Sequence, residues 1–136
     1  MIITVDDSES LPYIRVSLYY KITDDDLQQF QEALFSSKGF KSKDQLIDYS
    51  GVVHYEITPQ GLEAYSKQLA EALESSRPRL DRKIAIIAPK DLPFGMSRVF
   101  AAHMQRLPSS YRVFRNEEEA FTWLAVGANT AICDSQ

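Results

Sequence analysis

Polar and apolar residues alternate along the first part of the chain. Between Tyr13 and Ile22 every second residue is apolar, and the residues between them are polar or carry a tyrosine ring. A period of two predicts a strand with one buried face and one polar face. The run Met1–Val5 is also strand-like, and the acidic turn after it predicts that the two strands form a hairpin.

A second run, Ile84–Ala88, is apolar at every position. Such a run is typical of a parallel strand that is buried on both faces, and we expect it at the centre of the sheet. A turn follows through residues 90–95, and an amphipathic helix is predicted from about Gly95. The apolar stripe of that helix consists of Leu92, Met96, Phe100, His103 and Leu107.

Start and stop signals define another helix after the opening hairpin. Thr23 or Asp24 begins it, and Gly39 closes it. The acidic residues 24–26 meet the positive end of the helix dipole. We interpret them as helix capping rather than as a cation site, because calcium loops alternate their oxygen ligands around a glycine.

Two more strand and helix pairs complete the pattern. Strands are predicted at Gln45–Tyr49 and Tyr111–Arg115. Thr58–Pro59 begins the helix between them, since a threonine hydroxyl accepts from free amides and proline fits the first turn. Asn116 begins the last helix, and Glu119 completes a capping box with it.

This alternation of strands and helices defines the fold class. Connections too long for hairpins predict parallel strands with right-handed crossovers. We therefore predict an α/β fold in one domain, residues 1–136, with a mixed sheet of about five strands and four helices. Residues 127–136 lack a pattern and are predicted to be a loose tail.

Composition narrows the classes of partner. The net charge of −4 and the pI near 5.1 argue against nucleic acid, because phosphate binding needs a basic field. A basic cluster that contains Arg82 is diluted by Asp81, and we interpret it as a solvated connection. No apolar run approaches the roughly 20 residues that span a bilayer, so we expect no membrane insertion and a cytoplasmic location. Cys133 has no second cysteine with which to pair.

Residues that carry catalysis or hold cofactors are sparse. The glycines are scattered rather than gathered in a phosphate-binding loop. His54 and Glu56 resemble the histidine–glutamate pair of zinc deaminases, but that chemistry also needs a downstream cysteine pair to hold the metal. His103 is interpreted as a hydrogen-bonded core or interface residue rather than a catalytic one. We predict no enzyme activity, no metal and no cofactor.

Three segments together resemble a known family. They are LIDYSGV at 46–52, IAIIAPKDLPFGMSRVF at 84–100 and YRVFRNEEEAFTWL at 111–124. Their order is similar to that in small bacterial SpoIIAA-like (STAS/SEC14-like) proteins. The resemblance implies the SpoIIAA-like fold, a right-handed βα superhelix, and for most members no established biochemical activity.

Two groups with that fold imply different functions. Anti-sigma-factor antagonists bind a protein partner and are phosphorylated at a helix start, after a strand whose end is similar to Asp48 and Ser50 here. Counting from Asp48 reaches Thr58 as the phosphoacceptor, whereas anchoring on Gly61 reaches Gln60, which cannot be phosphorylated. CRAL-TRIO/SEC14 domains carry lipids, which implies a small amphipathic ligand, although this chain is shorter than such carriers usually are.

We expect a non-catalytic domain that acts through contact with an unidentified protein partner, with a regulatory role. A binder of a small amphipathic ligand is the alternative. The loop 48–58 and the turn 90–95 follow parallel strands, whose carboxyl ends are where ligands and partners dock. The predicted partner or ligand surface consists of Asp48, Ser50, His54, Tyr55, Thr58, Asp91, Phe94 and Gly95.

A second surface is predicted on the polar face of the strand from Tyr13. Tyr13, Arg15 and Tyr19 lie on this face. Tyrosine and arginine are enriched at the cores of interfaces. We therefore predict a homodimer through this face or the adjacent edge, with an ordinary solvated sheet face as the alternative.

Overall fold

The computed structural model describes residues 1–126, so the predicted tail at 127–136 lies outside the described residues. The described chain alternates strands and helices after an opening pair of strands. Its elements are β1 (Ile2–Asp6), β2 (Tyr13–Thr23), α1 (Asp26–Phe35), β3 (Asp44–Glu56), α2 (Pro59–Ser76), β4 (Lys83–Ile87), α3 (Asp91–His103), β5 (Ser110–Phe114) and α4 (Glu117–Val126).

The sheet confirms the predicted topology. Its strand order is β1-β2-β3-β4-β5, with β1 antiparallel to β2 and every other pair parallel. The apolar strand β4 is buried on both faces as predicted, but β3 occupies the centre. Each crossover places its strand beside the preceding one, so the middle position falls to the third strand rather than the fourth.

Two hydrophobic cores lie on opposite faces of the sheet. The larger contains Ile84 and Ile86 of β4 together with buried residues of α1, α2 and α3. The smaller contains Ala85 and Ile87 of the same strand with Ala120 of α4. Because successive strand residues point to opposite faces, α1, α2 and α3 cover one face and α4 covers part of the other.

Strand β3 is much longer than predicted. The sequence indicated a strand over residues 45–49 and a loop over 48–58, but β3 continues to Glu56. Beyond Asp48 it has no pairing with β4, whereas residues 51–56 pair with 19–23 of β2. The second half of β2 supplies the hydrogen-bonding partner that keeps this segment extended. Within the segment, the Val52 side chain is buried in the larger core.

Helix α3 begins at Asp91, four residues before the predicted start at Gly95. Pro93 fits within the first turn because its missing N–H is one of the amides that a helix start leaves unpaired. The buried stripe therefore runs through Pro93, Ser97 and Phe100, and Leu92 is exposed. His103 is also exposed, so it is not a core residue, and the alternative of an interface residue stays a prediction.

The predicted helix starts at Thr58 and Asn116 are found in the structure, whereas the predicted helix end at Gly39 is not. The Thr58 hydroxyl accepts from the Gly61 amide at 3.0 Å, which confirms the predicted start of α2. Asn116 Oδ1 accepts from the Glu119 amide at 2.9 Å, as predicted, but Glu119 Oε1 accepts from Asn116 Nδ2 at 3.2 Å rather than from the Asn116 backbone N–H of a full capping box. Helix α1 ends at Phe35, however, and Gly39 lies in the turn beyond it with a φ of 79°.

Candidate functional site

The predicted partner surface is divided among several parts of the fold. Asp48 is buried on the α4 face, where its carboxylate accepts from Arg15 Nη2 at 2.8 Å and from the Ser50 amide at 2.8 Å. Arg15 also donates to Glu117 at 3.0 Å. Asp48 therefore holds the start of α4 against the sheet through Arg15.

His54 lies on the open edge of β3, beside the start of α3. The groove there, called the carboxyl-end groove, is shared by α3 and the second half of β3. Its lining residues are Val52, Val53, His54, Tyr55, Glu56, Lys90, Leu92 and Pro93. Lys90 Nζ donates to the Val52 carbonyl at 3.4 Å, which joins the two elements.

Large apolar side chains are exposed around this groove. Val53 is 62% exposed, Leu92 58% and Tyr20 57%, and the Tyr20 ring meets His54 edge-on at 5.4 Å. Tyr55, by contrast, packs against the larger core. The groove thus places His54 beside the start of α3, while much of the Tyr55 ring faces inward.

Thr58 is held by a carboxylate from the preceding crossover. Its amide donates to Asp24 Oδ1 at 2.8 Å, and its hydroxyl donates to Asp24 Oδ2 at 2.6 Å. The Asp24 carboxylate therefore lies directly against the hydroxyl that was predicted as a phosphoacceptor. A phosphate there would face a like charge.

Asp91 and Phe94 are associated with the end of β5. Arg115 Nη1 donates to Asp91 at 2.7 Å, and the Arg115 guanidinium lies 4.1 Å from the centre of the Phe94 ring. A Cβ at Gly95 would meet nothing within 4 Å, so close packing does not require this glycine.

The predicted dimer residues lie on the face that α4 only partly covers. Tyr13 packs against Phe121 of α4, with ring centres 6.1 Å apart. Tyr19 is exposed and lies over Gly51, where an added Cβ would overlap the tyrosine ring. Tyr19 pairs with the exposed Ile2 of β1, so an apolar strip remains outside the cover of α4.

A chamber that the sequence did not predict lies between the sheet and helices α1, α2 and α3. The volume open to the centre of a water-sized sphere is about 30 Å³. By that measure a water molecule needs roughly 10–15 Å³, so the chamber is large enough for about two waters. Most of its wall is apolar and includes Phe30, Leu69, Leu73, Ile84 and Ile86.

One arginine lies in the wall of this chamber. Arg82 is 1% exposed, its Nη1 donates to the Phe40 carbonyl at 3.2 Å, and its guanidinium lies 5.3 Å from the centre of the Phe40 ring. Its Nε has no hydrogen-bond partner, and within residues 1–126 it forms no ion pair. Burial lowers the pKa of the Arg82 guanidinium. A buried charge without an ion-pair partner is costly, so Arg82 favours any anion that reaches it.

Four tyrosines share the chamber wall with Arg82. Burial raises the pKa of Tyr49 and of Tyr111 to about 12. It also raises the pKa of Tyr55 and of Tyr65. The Tyr65 hydroxyl has no hydrogen-bond partner. At neutral pH these tyrosines are uncharged, and the Tyr65 hydroxyl is available to a polar group inside the chamber.

A surface groove lies on the other side of Arg82. We call it the basic groove, and its open volume by the same measure is about 560 Å³. Leu73 and Arg82 line both the basic groove and the chamber. The other lining residues are Glu74, Arg77, Pro78, Arg79, Leu80, Arg106, Leu107, Pro108 and Ser109. Arg82 therefore separates the chamber from an arginine-rich surface.

Arg82 was missed because it immediately precedes β4 and was grouped with the solvated basic residues. The alternation of side chains along β4 contains the signal that could have predicted the burial of Arg82. Positions 82, 84 and 86 share one face of an extended chain, and Ile84 and Ile86 face the larger core. Extending the period by one step places the Arg82 side chain under the helices.

The class of protein that this architecture defines is an α/β domain with a SpoIIAA-like fold. A solved structure of an uncharacterised DUF3478-family protein with a SpoIIAA-like fold, from Shewanella loihica PV-4, matches with a TM-score of 0.55 and 19% identity. The match covers 90% of this chain and 92% of that chain. No family model and no curated protein sequence matches. The similarity confirms the predicted fold, and a shared fold does not by itself establish a function.

Within residues 1–126, no group of three or more histidine, cysteine or acidic side chains is arranged to hold a metal ion. In the same part of the chain, no helix is long and apolar enough to cross a membrane.

Proposed function

We propose that this protein is a non-catalytic binding domain that takes up a small amphipathic molecule in the chamber. The observation that supports the proposal is the buried, unpaired Nε of Arg82 beside apolar walls. Ligand sites are typically apolar with a few polar groups that fix orientation. The Tyr65 hydroxyl is a second such group.

The size of the chamber sets a condition on binding. A volume of about 30 Å³ is too small for an alkyl chain, so uptake requires the helices to move away from the sheet. Helix α1 contacts α2 through a side-chain hydrogen bond at 2.7 Å from Gln68 to Gln28, both exposed. That bond contributes only about 1 kcal/mol. Phe30 of α1 and Tyr65 of α2 also pack together, with ring centres 6.5 Å apart, so the apolar chain of a ligand has to replace the contacts that separation removes.

Thermal unfolding in the presence of sub-micellar amphiphiles tests the proposal. A ligand that binds only the folded state, at 100 times its Kd, stabilises by about 2.7 kcal/mol, which raises the Tm of a chain of this length by roughly 10 °C. We expect such a rise with decanoate or decanol and none with acetate, which lacks the apolar chain. An unchanged Tm with both decyl compounds would contradict the proposal.

A second candidate function is contact with a protein partner at the carboxyl-end groove. The exposure of Tyr20, Val53 and Leu92 around one groove favours it, because exposed apolar groups gathered in one place are typical of interaction sites. A regulatory role belongs to this candidate, and phosphorylation of Thr58 within it requires Asp24 to move away from the hydroxyl.

Val53→Glu and Leu92→Glu test this candidate by cross-linking in the cytoplasm of the source cell. Both side chains are exposed, so we expect an unchanged Tm and the loss of a cross-linked partner that the wild type retains. Val99→Glu, at an exposed valine of α3 outside the groove, is the matched control. Identical cross-linking of all the variants would reject the groove as the contact.

A further inference from the structure

We infer that the ligand is a single-chain amphipathic carboxylate whose head group pairs with Arg82 and whose apolar chain extends from the basic groove into the chamber. The inference rests on the proposed function and adds to it the charge of the ligand and its route. It also assigns Arg82 as the residue that binds the head group.

The free donor of Arg82 points to a carboxylate. One Nη of the guanidinium already donates to the Phe40 carbonyl, whereas Nε has no partner. A guanidinium pairs with a carboxylate through two parallel N–H donors, and Nε with its neighbouring Nη forms one such fork. A single buried cation compensates a single negative charge, which favours a monoanion over a dianion.

The basic groove is suited to attract and hold an anion before it reaches Arg82. Within residues 1–126, Arg77 and Arg106 form no ion pair, and Glu74 is the acidic residue that lines the groove. Arg79 is paired with Asp44 at 3.1 Å and with Asp81 at 2.7 Å. The groove therefore retains positive charge although the chain as a whole is acidic.

The apolar residues of the basic groove continue the path of the ligand. Leu80 is exposed at its rim, and Leu107 is half-buried in its wall. Leu73 faces both the groove and the chamber, and Leu69 lies deeper in the chamber wall. A molecule with a carboxylate at Arg82 thus finds apolar contacts on the inner side of the head group.

Isothermal titration of the full-length protein with decanoate and with decanol tests the inference. The two probes have the same apolar chain and differ in the charge of the head group. Decanoate should bind at least about tenfold more tightly, the size expected of a charge-assisted hydrogen-bonded pair. Equal affinities would overturn the inference and leave the proposed function intact, whereas binding of neither probe would overturn both.

Arg82→Met separates a ligand-binding role of the arginine from a structural one. Removing a buried unpaired charge should raise the Tm of the ligand-free protein, while the advantage of decanoate over decanol disappears. Arg98→Met, an exposed arginine outside the groove, is the matched control and should keep that advantage. A variant Arg82→Met that retains the advantage would overturn the inference.

Arg82→Lys provides a second variant in case Arg82→Met does not fold. Lysine keeps the positive charge but cannot form the planar fork with Nε. Decanoate binding should weaken several-fold while decanol binding stays the same. Unchanged decanoate binding by Arg82→Lys would overturn the assigned geometry.

Discussion

Gly61→Ala tests the packing between Asp24 and the start of α2. A Cβ at Gly61 would overlap the Asp24 carboxylate, which accepts from both the amide and the hydroxyl of Thr58. Alanine is usually better than glycine in a helix, so the ordinary expectation is stabilisation. Here the added methyl group and the carboxylate cannot occupy the same space.

Two opposing contributions decide the sign. Helix propensity favours alanine by up to about 1 kcal/mol. Displacing Asp24 removes its two hydrogen bonds to Thr58, and hydrogen bonds to a charged group contribute about 1.5 kcal/mol each, less where solvent reaches them. We therefore expect Gly61→Ala to lower the free energy of unfolding by about 1–2 kcal/mol.

A double-mutant cycle in urea measures the effect. In the Asp24→Ala background the overlap is absent, so Gly61→Ala should be neutral or should stabilise by up to about 1 kcal/mol. The change of sign between the two backgrounds is the specific prediction. Additive effects, or stabilisation by Gly61→Ala in the wild type, would refute the close approach of Asp24 to Gly61.

Two further predictions concern pH and association. Burial raises the pKa of Tyr49 and of Tyr111 from about 10 to about 12 in the folded protein. Between these values the unfolded chain loses the phenol protons first, so the stability that the two tyrosines contribute is complete below pH 10 and is lost as the pH rises to 12. Urea unfolding should show a loss of about 1.4 kcal/mol per pH unit for each tyrosine in that window. For association, we expect the wild type to sediment as a dimer at micromolar concentration and Tyr19→Glu as a monomer, because the Ile2–Tyr19 strip is exposed.

Each of these predictions has a result that would contradict it. Tyrosinate absorbance that rises fully near pH 10 while the protein remains folded would show that Tyr49 and Tyr111 are not buried as described. A wild type that sediments as a monomer at high micromolar concentration would remove the homodimer.

Local patterns predicted much of the fold because they depend on neighbours in the chain. The alternation in β2, the apolar run of β4 and the caps at Thr58 and Asn116 are of this kind. The length of β3 depends instead on residues 19–23 of β2, which lie about thirty residues earlier in the chain. No local pattern around residues 50–56 contains that information.

The candidate site was harder to predict than the fold. The surface residues were chosen for their position after strands, and Asp48 proved to be engaged in holding α4 through Arg15. The chamber arises from the meeting of three helices and three strands, a property that spacing along one element does not contain. The sequence contained only one sign of the chamber, namely that Arg82 and Ile84 fall on the same face of an extended chain.

Methyl NMR during titration with decanoate tests the central claim, uptake into the chamber, most directly. Ile86 lines the chamber, whereas the next residue, Ile87, faces the smaller core on the opposite side of the sheet. We predict saturable shifts of the Ile86 and Leu69 methyl signals, with the Ile87 signal unchanged. Shifts confined to exposed methyl groups such as those of Val53 and Leu80, with Ile86 unaffected, would contradict the claim.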